Sequence, residues 1–185
     1  MDRSGAHSLR FLPQKELRFI AVVPDQPLST HKARQAIPQH IPHQDAVFNA
    51  SRTALYVGAL MSGNYQYLNA ALEDRLHQPY RIPLITGTEA VFEAAKANGA
   101  YGAIISGAGS TLMAYVDPEK DCDIIAAAMT DAFEKYGQRS TAHILKLEFL
   151  MAPEKRNIAE IKILLDFYMQ DGYNTHCDSG RGSAW

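Results

Sequence analysis

The stretch YGAIISGAGSTLMAYV, residues 101–116, decides the fold because it joins two apolar segments through a loop of very small residues. Both segments contain the β-branched and aromatic residues that are common in strands. Between them, Gly107 and Gly109 permit the tight backbone that a connection between neighbouring strands needs. We therefore predict adjacent strands at Tyr101–Ser106 and Thr111–Val116, joined by what we call the glycine loop, Ser106–Thr111.

Two further apolar segments predict the other strands of the same sheet. Residues 17–24, LRFIAVVP, form a compact apolar run that ends at a proline. Residues 143–149, HILKLEF, alternate apolar and charged side chains in the manner of a half-buried strand. With the helices predicted below, the order is strand, several helices, two strands, helix, strand. This order favours an α+β fold with helices on one face of an antiparallel sheet.

Helical spacing and capping residues predict the helices. The segment STHKARQAIP begins at the possible caps Ser29 and Thr30, and the segment EAVFEAAKAN lies between Thr88 and Gly99. Asn64 is the predicted cap of NYQYLNAALEDRLH, and Asp117 the predicted cap of the helix that ends at Gly137. The clearest helix starts at Asp45, and its apolar residues recur at the spacing of one helical face: Val47, Ala50, Ala54, Val57 and Met61.

Composition excludes several classes of function. Hydrophobic residues make up 46% of the 185 residues, charged residues make up 21%, and the net charge is -2, with basic residues scattered along the chain. These values argue against nucleic-acid binding, and no apolar run approaches the length of a membrane span. Cys122 and Cys177 stand in no metal-ligand spacing, and no signal peptide is evident, so we predict a cytoplasmic protein. We expect one domain in residues 1–150, and an extra helix with a flexible tail in residues 151–185.

Three segments contain candidate binding residues, and each also has a purely structural interpretation. Thr30 and Arg34 are four residues apart, so on a helix their side chains would lie on one side and could hold a carboxylate. Arg81 ends the segment DRLHQPYR, although single arginines are more often solvated surface residues. A loop such as SGAGS is more often an ordinary hairpin turn. His40 and His43 lack the further ligands of a metal site, so no metal is predicted.

The series of segments resembles the C-terminal half of bacterial homoserine kinases, which are members of the GHMP small-molecule kinase superfamily. The resemblance extends from about residue 10 to about residue 147, and four segments carry it in order: VVPDQPLSTHKARQAIP, HQDAVFNASRTALYVGAL, ALEDRLHQPYRIPLITG and GAYGAIISGAGSTLMAYV. It implies the ferredoxin-like C-terminal domain of these kinases. It also implies an ATP- and Mg²⁺-dependent transfer of a phosphoryl group to the side-chain hydroxyl of L-homoserine, on the route to threonine.

The resemblance assigns roles to particular residues. Thr30 and Arg34 match positions that contact the homoserine carboxylate, and Arg81 matches the second arginine of that clamp. A carboxylate between two guanidinium groups is physically suitable, because planar bidentate pairing determines both its position and its orientation. The glycine loop matches the third shared motif, which packs against the ATP phosphate loop: Ser106, Gly107, Ala108, Gly109, Ser110 and Thr111. Ser110 stands where the family usually has proline, which should leave the turn less rigid.

The 185 residues contain no segment of the PxxxGLGSS type, which is the phosphate loop in the N-terminal domain of GHMP kinases. We therefore interpret the chain as the substrate-binding C-terminal half of a homoserine kinase that needs an N-terminal kinase domain as its partner and is inactive alone. The alternatives are a non-catalytic amino-acid-binding or homodimerisation module, and a truncated remnant. The sequence assigns no catalytic residue.

Overall fold

The computed structural model describes residues 11–146, and the sequence predictions for residues 147–185 lie outside this range. Within it, the strands are Arg18–Pro24 (β1), Gly102–Ile105 (β2), Leu112–Val116 (β3) and Ser140–Lys146 (β4). They form one antiparallel sheet in the order β2-β3-β1-β4. The predicted α+β fold with an antiparallel sheet is confirmed.

The helices of this region connect and cover the strands. They are Thr30–Gln35 (α1), His43–Ser62 (α2), Leu68–Ala71 (α3), Gln78–Arg81 (α4), Thr88–Ala97 (α5) and Cys122–Glu134 (α6). Short 3-10 turns at Tyr65–Tyr67 and Ile82–Leu84 precede α3 and follow α4. Helices α1 to α5 connect β1 to β2, and α6 connects β3 to β4, so strand order and connections are those of a ferredoxin-like fold.

One face of the sheet packs against α5 and α6 to form the main hydrophobic core. Ile20 of β1 and Leu112 of β3 lie in this core with Val91 of α5 and with Met129 and Phe133 of α6, and each has 0% exposed surface. Alternate side chains of a strand point to opposite faces, so only half of each strand contributes to this core.

The other face is covered in part by α2, which corrects the prediction that helices lie on one face only. The Tyr56 hydroxyl of α2 lies 3.3 Å from the Tyr115 hydroxyl, and the Phe19 and Tyr115 rings pack edge to face with their centroids 5.0 Å apart. All five residues of β3 are therefore buried. The position of α2 brings its residues close to the segment that precedes α4.

The helix α2 is confirmed, but the apolar stripe that predicted it is not the buried side of the helix. Val47 and Met61 are 55% and 56% exposed, whereas the buried positions are Asn49, Ala59 and Leu60. Hydrophobic spacing predicts that a helix forms. It did not predict which side of α2 is buried, because that side includes the polar, hydrogen-bonded Asn49.

The helix predicted behind Asn64 is shorter than expected and is followed by a different structure. Asn64 makes no side-chain cap, α3 ends at Ala71, and a new helix, α4, begins at Gln78. Pro79 lies in the first turn of α4, where a missing N–H costs nothing. The segment HQPYR is therefore a short helix.

The helix predicted to start at Asp117 also begins later. Asp121 is its cap, accepting hydrogen bonds from the N–H groups of Asp123 and Ile124. Asp117 instead closes a turn by accepting from the Glu119 N–H at 2.9 Å. The proline after Asp117 misled the prediction, because proline is common both in turns and at helix starts.

Candidate functional site

The glycine loop connects β2 and β3 as a compact hairpin. The Ser106 N–H donates to the Thr111 carbonyl at 2.8 Å, and the Gly109 N–H donates to the Ser106 carbonyl at 3.0 Å. Gly107 and Gly109 have φ angles of +57° and +97°, in the left-handed region that favours glycine. The amides of Ser106 and Gly109 thus bond within the loop and do not point at an anion.

Gly109 is the glycine of the loop that has close neighbours. A Cβ atom at this position would lie 2.9 Å from Cδ1 of Ile85 and 3.1 Å from Cδ2 of Leu28, which is too close for ordinary contact, whereas one at Gly107 would meet nothing within 4 Å. The bare backbone that the sequence shows therefore lets the loop pack against the segment that leads into α1.

Arg81 joins α1, α4 and the glycine loop. Its side chain has 0% exposed surface, its Nη1 donates to the Gly107 carbonyl at 2.9 Å, and its Nε donates to the Ala33 carbonyl of α1 at 3.3 Å. A buried guanidinium needs such partners, because removing a charge from water is costly. The sequence interpretation of Arg81 as a solvated surface residue does not apply.

Thr30 and Arg34 lie on the exposed part of α1, next to this contact. Ser29 caps the helix by accepting from the Lys32 N–H, and the four-residue spacing places Thr30 and Arg34 on the same side of α1. Arg34 directly follows Ala33, whose carbonyl Arg81 contacts. The structure thus brings α1, Arg81 and the glycine loop together, with Arg34 exposed and Arg81 behind the loop.

A buried network that the sequence analysis missed supports α4. The Asp74 carboxylate accepts from the N–H groups of His77 and Gln78 at 2.8 and 2.6 Å, and from the Asn49 amide of α2 at 2.6 Å. The side chain of Asp74 has 0% exposed surface. One sequence pattern could have predicted this network. Asp74 is an acidic residue shortly before Gln78–Pro79, and proline in the first turn is common at the start of a helix.

The pKa of Asp74 is lowered from its ordinary value by its surroundings. Burial by itself raises the pKa of the carboxyl, but this effect is outweighed by the electrostatic interaction with His77 and by the hydrogen bonds from Gln78, His77 and Asn49. The His77 Nε2 lies 3.8 Å from the nearer carboxylate oxygen. The network therefore stabilises the charged form of Asp74.

Replacing Asp74 by asparagine is expected to lower the free energy of unfolding by about 2 kcal/mol at pH 7, because an amide cannot accept all of these hydrogen bonds. A lowered folded-state pKa gives stability that is present above the unfolded value of about 3.9 and is lost as the pH falls through the folded value. The difference between wild type and Asp74→Asn should therefore shrink at acidic pH. Urea unfolding between pH 3 and pH 7 measures it. The exposed Asp131→Asn on α6 is the control, expected within about 0.5 kcal/mol of wild type.

Residues 11–146 contain no cluster of the common metal-ligating side chains. No group of three or more His, Cys, Asp or Glu side chains in this range is arranged to hold an ion. In the same range, no helix is both long enough and apolar enough to cross a membrane.

The domain with the ferredoxin-like sheet and the glycine loop belongs to a known family of kinase domains. The family model of the GHMP kinases C terminal matches residues 41–135, which include α2 to α6 and the glycine loop. The chain belongs to the GHMP kinases C-terminal family.

Homoserine kinases from several bacteria are similar in sequence to this chain. The chain is 46% identical over 129 residues to the homoserine kinase of Picosynechococcus sp., covering 70% of this chain and 42% of that protein. It is 39% identical over 134 residues to the homoserine kinase of Persephonella marina, covering 72% and 44% of the two chains. The crystal structure of homoserine kinase from Cytophaga hutchinsonii shares the fold, with a TM-score of 0.70, 24% identity, and coverage of 74% of this chain and 43% of that chain. The chain thus spans less than half the length of these relatives.

Proposed function

We propose that this domain is the substrate-binding part of a homoserine kinase, which phosphorylates L-homoserine with ATP to give O-phospho-L-homoserine. One observation carries the proposal: Arg81 donates both to the glycine loop, at the Gly107 carbonyl, and to α1, at the carbonyl of Ala33, the residue before Arg34. These are the three segments that the resemblance to homoserine kinases assigned to substrate and phosphate-loop contacts. The identity to homoserine kinases supports this substrate over those of other GHMP kinases.

In the proposed reaction, the homoserine hydroxyl oxygen forms a bond to the γ-phosphorus while the bond from that phosphorus to ADP breaks, and the hydroxyl proton leaves. The role of the domain is to hold the amino acid, so that its hydroxyl is in line with the phosphate. Arg34, exposed on α1, is the residue that a carboxylate can reach first. Ser106–Thr111 are proposed to pack against the phosphate loop of the N-terminal domain, with ATP and Mg²⁺ bound mainly there.

Binding of homoserine to the 185-residue chain tests this proposal directly. Titration of L-homoserine should shift the NMR signals of the amides of Ala33, Arg34 and Gly107 more than those of the remaining domain. L-homoserine amide, in which the carboxylate is replaced, should bind about tenfold more weakly or worse, because a charge-assisted pair is lost.

The same titration on one test variant and one control variant examines the role of Arg34. Arg34→Ala should weaken homoserine binding by a similar factor, whereas Arg139→Ala, at a position with 87% of its side chain exposed, should not change it. The proposal fails if homoserine produces no shifts at α1 and the glycine loop, or if the amide binds as well as the amino acid.

A further inference from the structure

The end of β2 is held from outside the sheet by one buried side chain. Gln78, which is 6% exposed, accepts from the Ile105 N–H through its Oε1 at 2.9 Å, and its Nε2 donates to the Leu72 carbonyl at 3.3 Å. Ile105 is the last residue of β2, and the glycine loop begins at the next residue. The contact therefore lies at the point where the strand becomes the loop.

The Ile105 N–H needs such a partner. Since β2 is an edge strand and the Ser106 N–H points toward β3, the neighbouring Ile105 N–H points away from the sheet. A buried N–H without an acceptor is costly. The Gln78 side chain therefore replaces the missing neighbouring strand.

Gln78 and Arg81 act on the same loop from the same short helix. They are three residues apart on α4, and they contact the Ile105 N–H before the loop and the Gly107 carbonyl within it. Asp74 in turn accepts from the Gln78 N–H at 2.6 Å, which connects α4 to α2 through Asn49. The backbone on both sides of Ser106 is thus fixed relative to α4.

We infer that Gln78 is a positioning residue for the glycine loop: it acts through the Ile105 N–H to hold the loop in the place where Arg81 and α1 meet it. It is distinct from the proposed carboxylate contacts, because both polar atoms of its side chain bond to the backbone of this chain. Its effect on catalysis rests on the proposed kinase function, but its effect on the loop does not.

The variant Gln78→Met tests whether the hydrogen bonds of Gln78, rather than its volume alone, hold the loop. Methionine has a similar size and shape but offers no equivalent hydrogen bond. In the 185-residue chain, hydrogen exchange of the Ile105 amide should become about tenfold faster or more, whereas exchange of the β3 amides at Met113 and Tyr115 should stay within about threefold. Gln66→Met, at an exposed position in the turn before α3, is the control and should exchange as wild type.

A second measurement tests the link to function. In the chain joined to the N-terminal part of a homoserine kinase, Gln78→Met should lower kcat about tenfold and change the KM for ATP less than twofold, because the loop is displaced and the nucleotide contacts are retained. Unchanged exchange at Ile105 overturns the inference, and so does loss of protection throughout the domain, which would make Gln78 a general core residue. Faster local exchange with unchanged kcat overturns the catalytic step alone. Absence of any kinase activity in the joined wild-type chain would count against the proposed function, leaving the exchange result to decide the role of Gln78.

Discussion

Joining this chain to the part of the Picosynechococcus homoserine kinase that it does not match is expected to raise homoserine-dependent ADP formation by on the order of 10⁴-fold or more over the 185-residue chain alone. Phosphoryl transfer depends on positioned phosphate-binding amides and metal ions, which together supply most of the rate enhancement. Among the described residues, no three His, Cys, Asp or Glu side chains are arranged to hold an ion, and two of the glycine-loop amides bond within the loop. A coupled assay of ADP release measures the two rates.

The controls for this assay are the added N-terminal part alone and the joined chain without homoserine. All proteins should be produced in a host that lacks its own homoserine kinase. Homoserine-dependent activity of the 185-residue chain alone would contradict the prediction, and would mean that its own residues form a phosphate site. A joined chain that binds homoserine but releases no ADP would favour the alternative of a non-catalytic amino-acid-binding module.

The fold could be predicted from the sequence because local patterns and chain order agree. The strands around the glycine loop were found from their β-branched residues and the two glycines, and β1 from one apolar run. What could not be predicted is the role of polar residues that bond to distant backbone. The segment from Asn64 to His77 was predicted as one helix. The structure has the short α3 there, and Asp74 then accepts from the Gln78 N–H at the start of a separate helix, α4.

The residues of the candidate site could likewise be predicted only in part from the sequence. Arg34 and Arg81 were identified by resemblance. Arg81 donates to the carbonyl of Ala33, the residue before Arg34, and a common carboxylate site stays a prediction. Gln78 was not identified, because a buried glutamine that caps an edge strand has no sequence pattern of its own. The exposed Val47 and Met61 of α2 show the converse problem, since an apolar stripe indicates that a surface is apolar but does not say what covers it. A homodimer, like the cytoplasmic location, stays a prediction.

Arg81→Ala in the joined chain is expected to lower kcat/KM for homoserine by on the order of 30- to 1,000-fold, which corresponds to about 2 to 4 kcal/mol. The buried guanidinium donates to the Gly107 and Ala33 carbonyls, so its removal leaves the partly buried Gly107 carbonyl and the buried Ala33 carbonyl with fewer partners and frees the loop from α1. The KM for ATP should change much less. Arg81→Lys should recover only part of the loss, because one ammonium cannot reproduce a planar group that bonds in two directions.

The decisive comparison is between L-homoserine and L-homoserine amide as substrates of the Arg81→Ala chain. If Arg81 contacts the substrate carboxylate, the variant should lose far less activity on the amide than on homoserine, because the amide already lacks the charged partner. If Arg81 acts only by holding the loop, the loss should be equal for both. Arg139→Ala serves as the surface control, expected within about twofold of wild type on both substrates. If the Arg81→Ala chain keeps its homoserine KM and kcat, Arg81 has no role in the site. A site between α1 and the glycine loop would be disturbed by losing the buried residue that joins them.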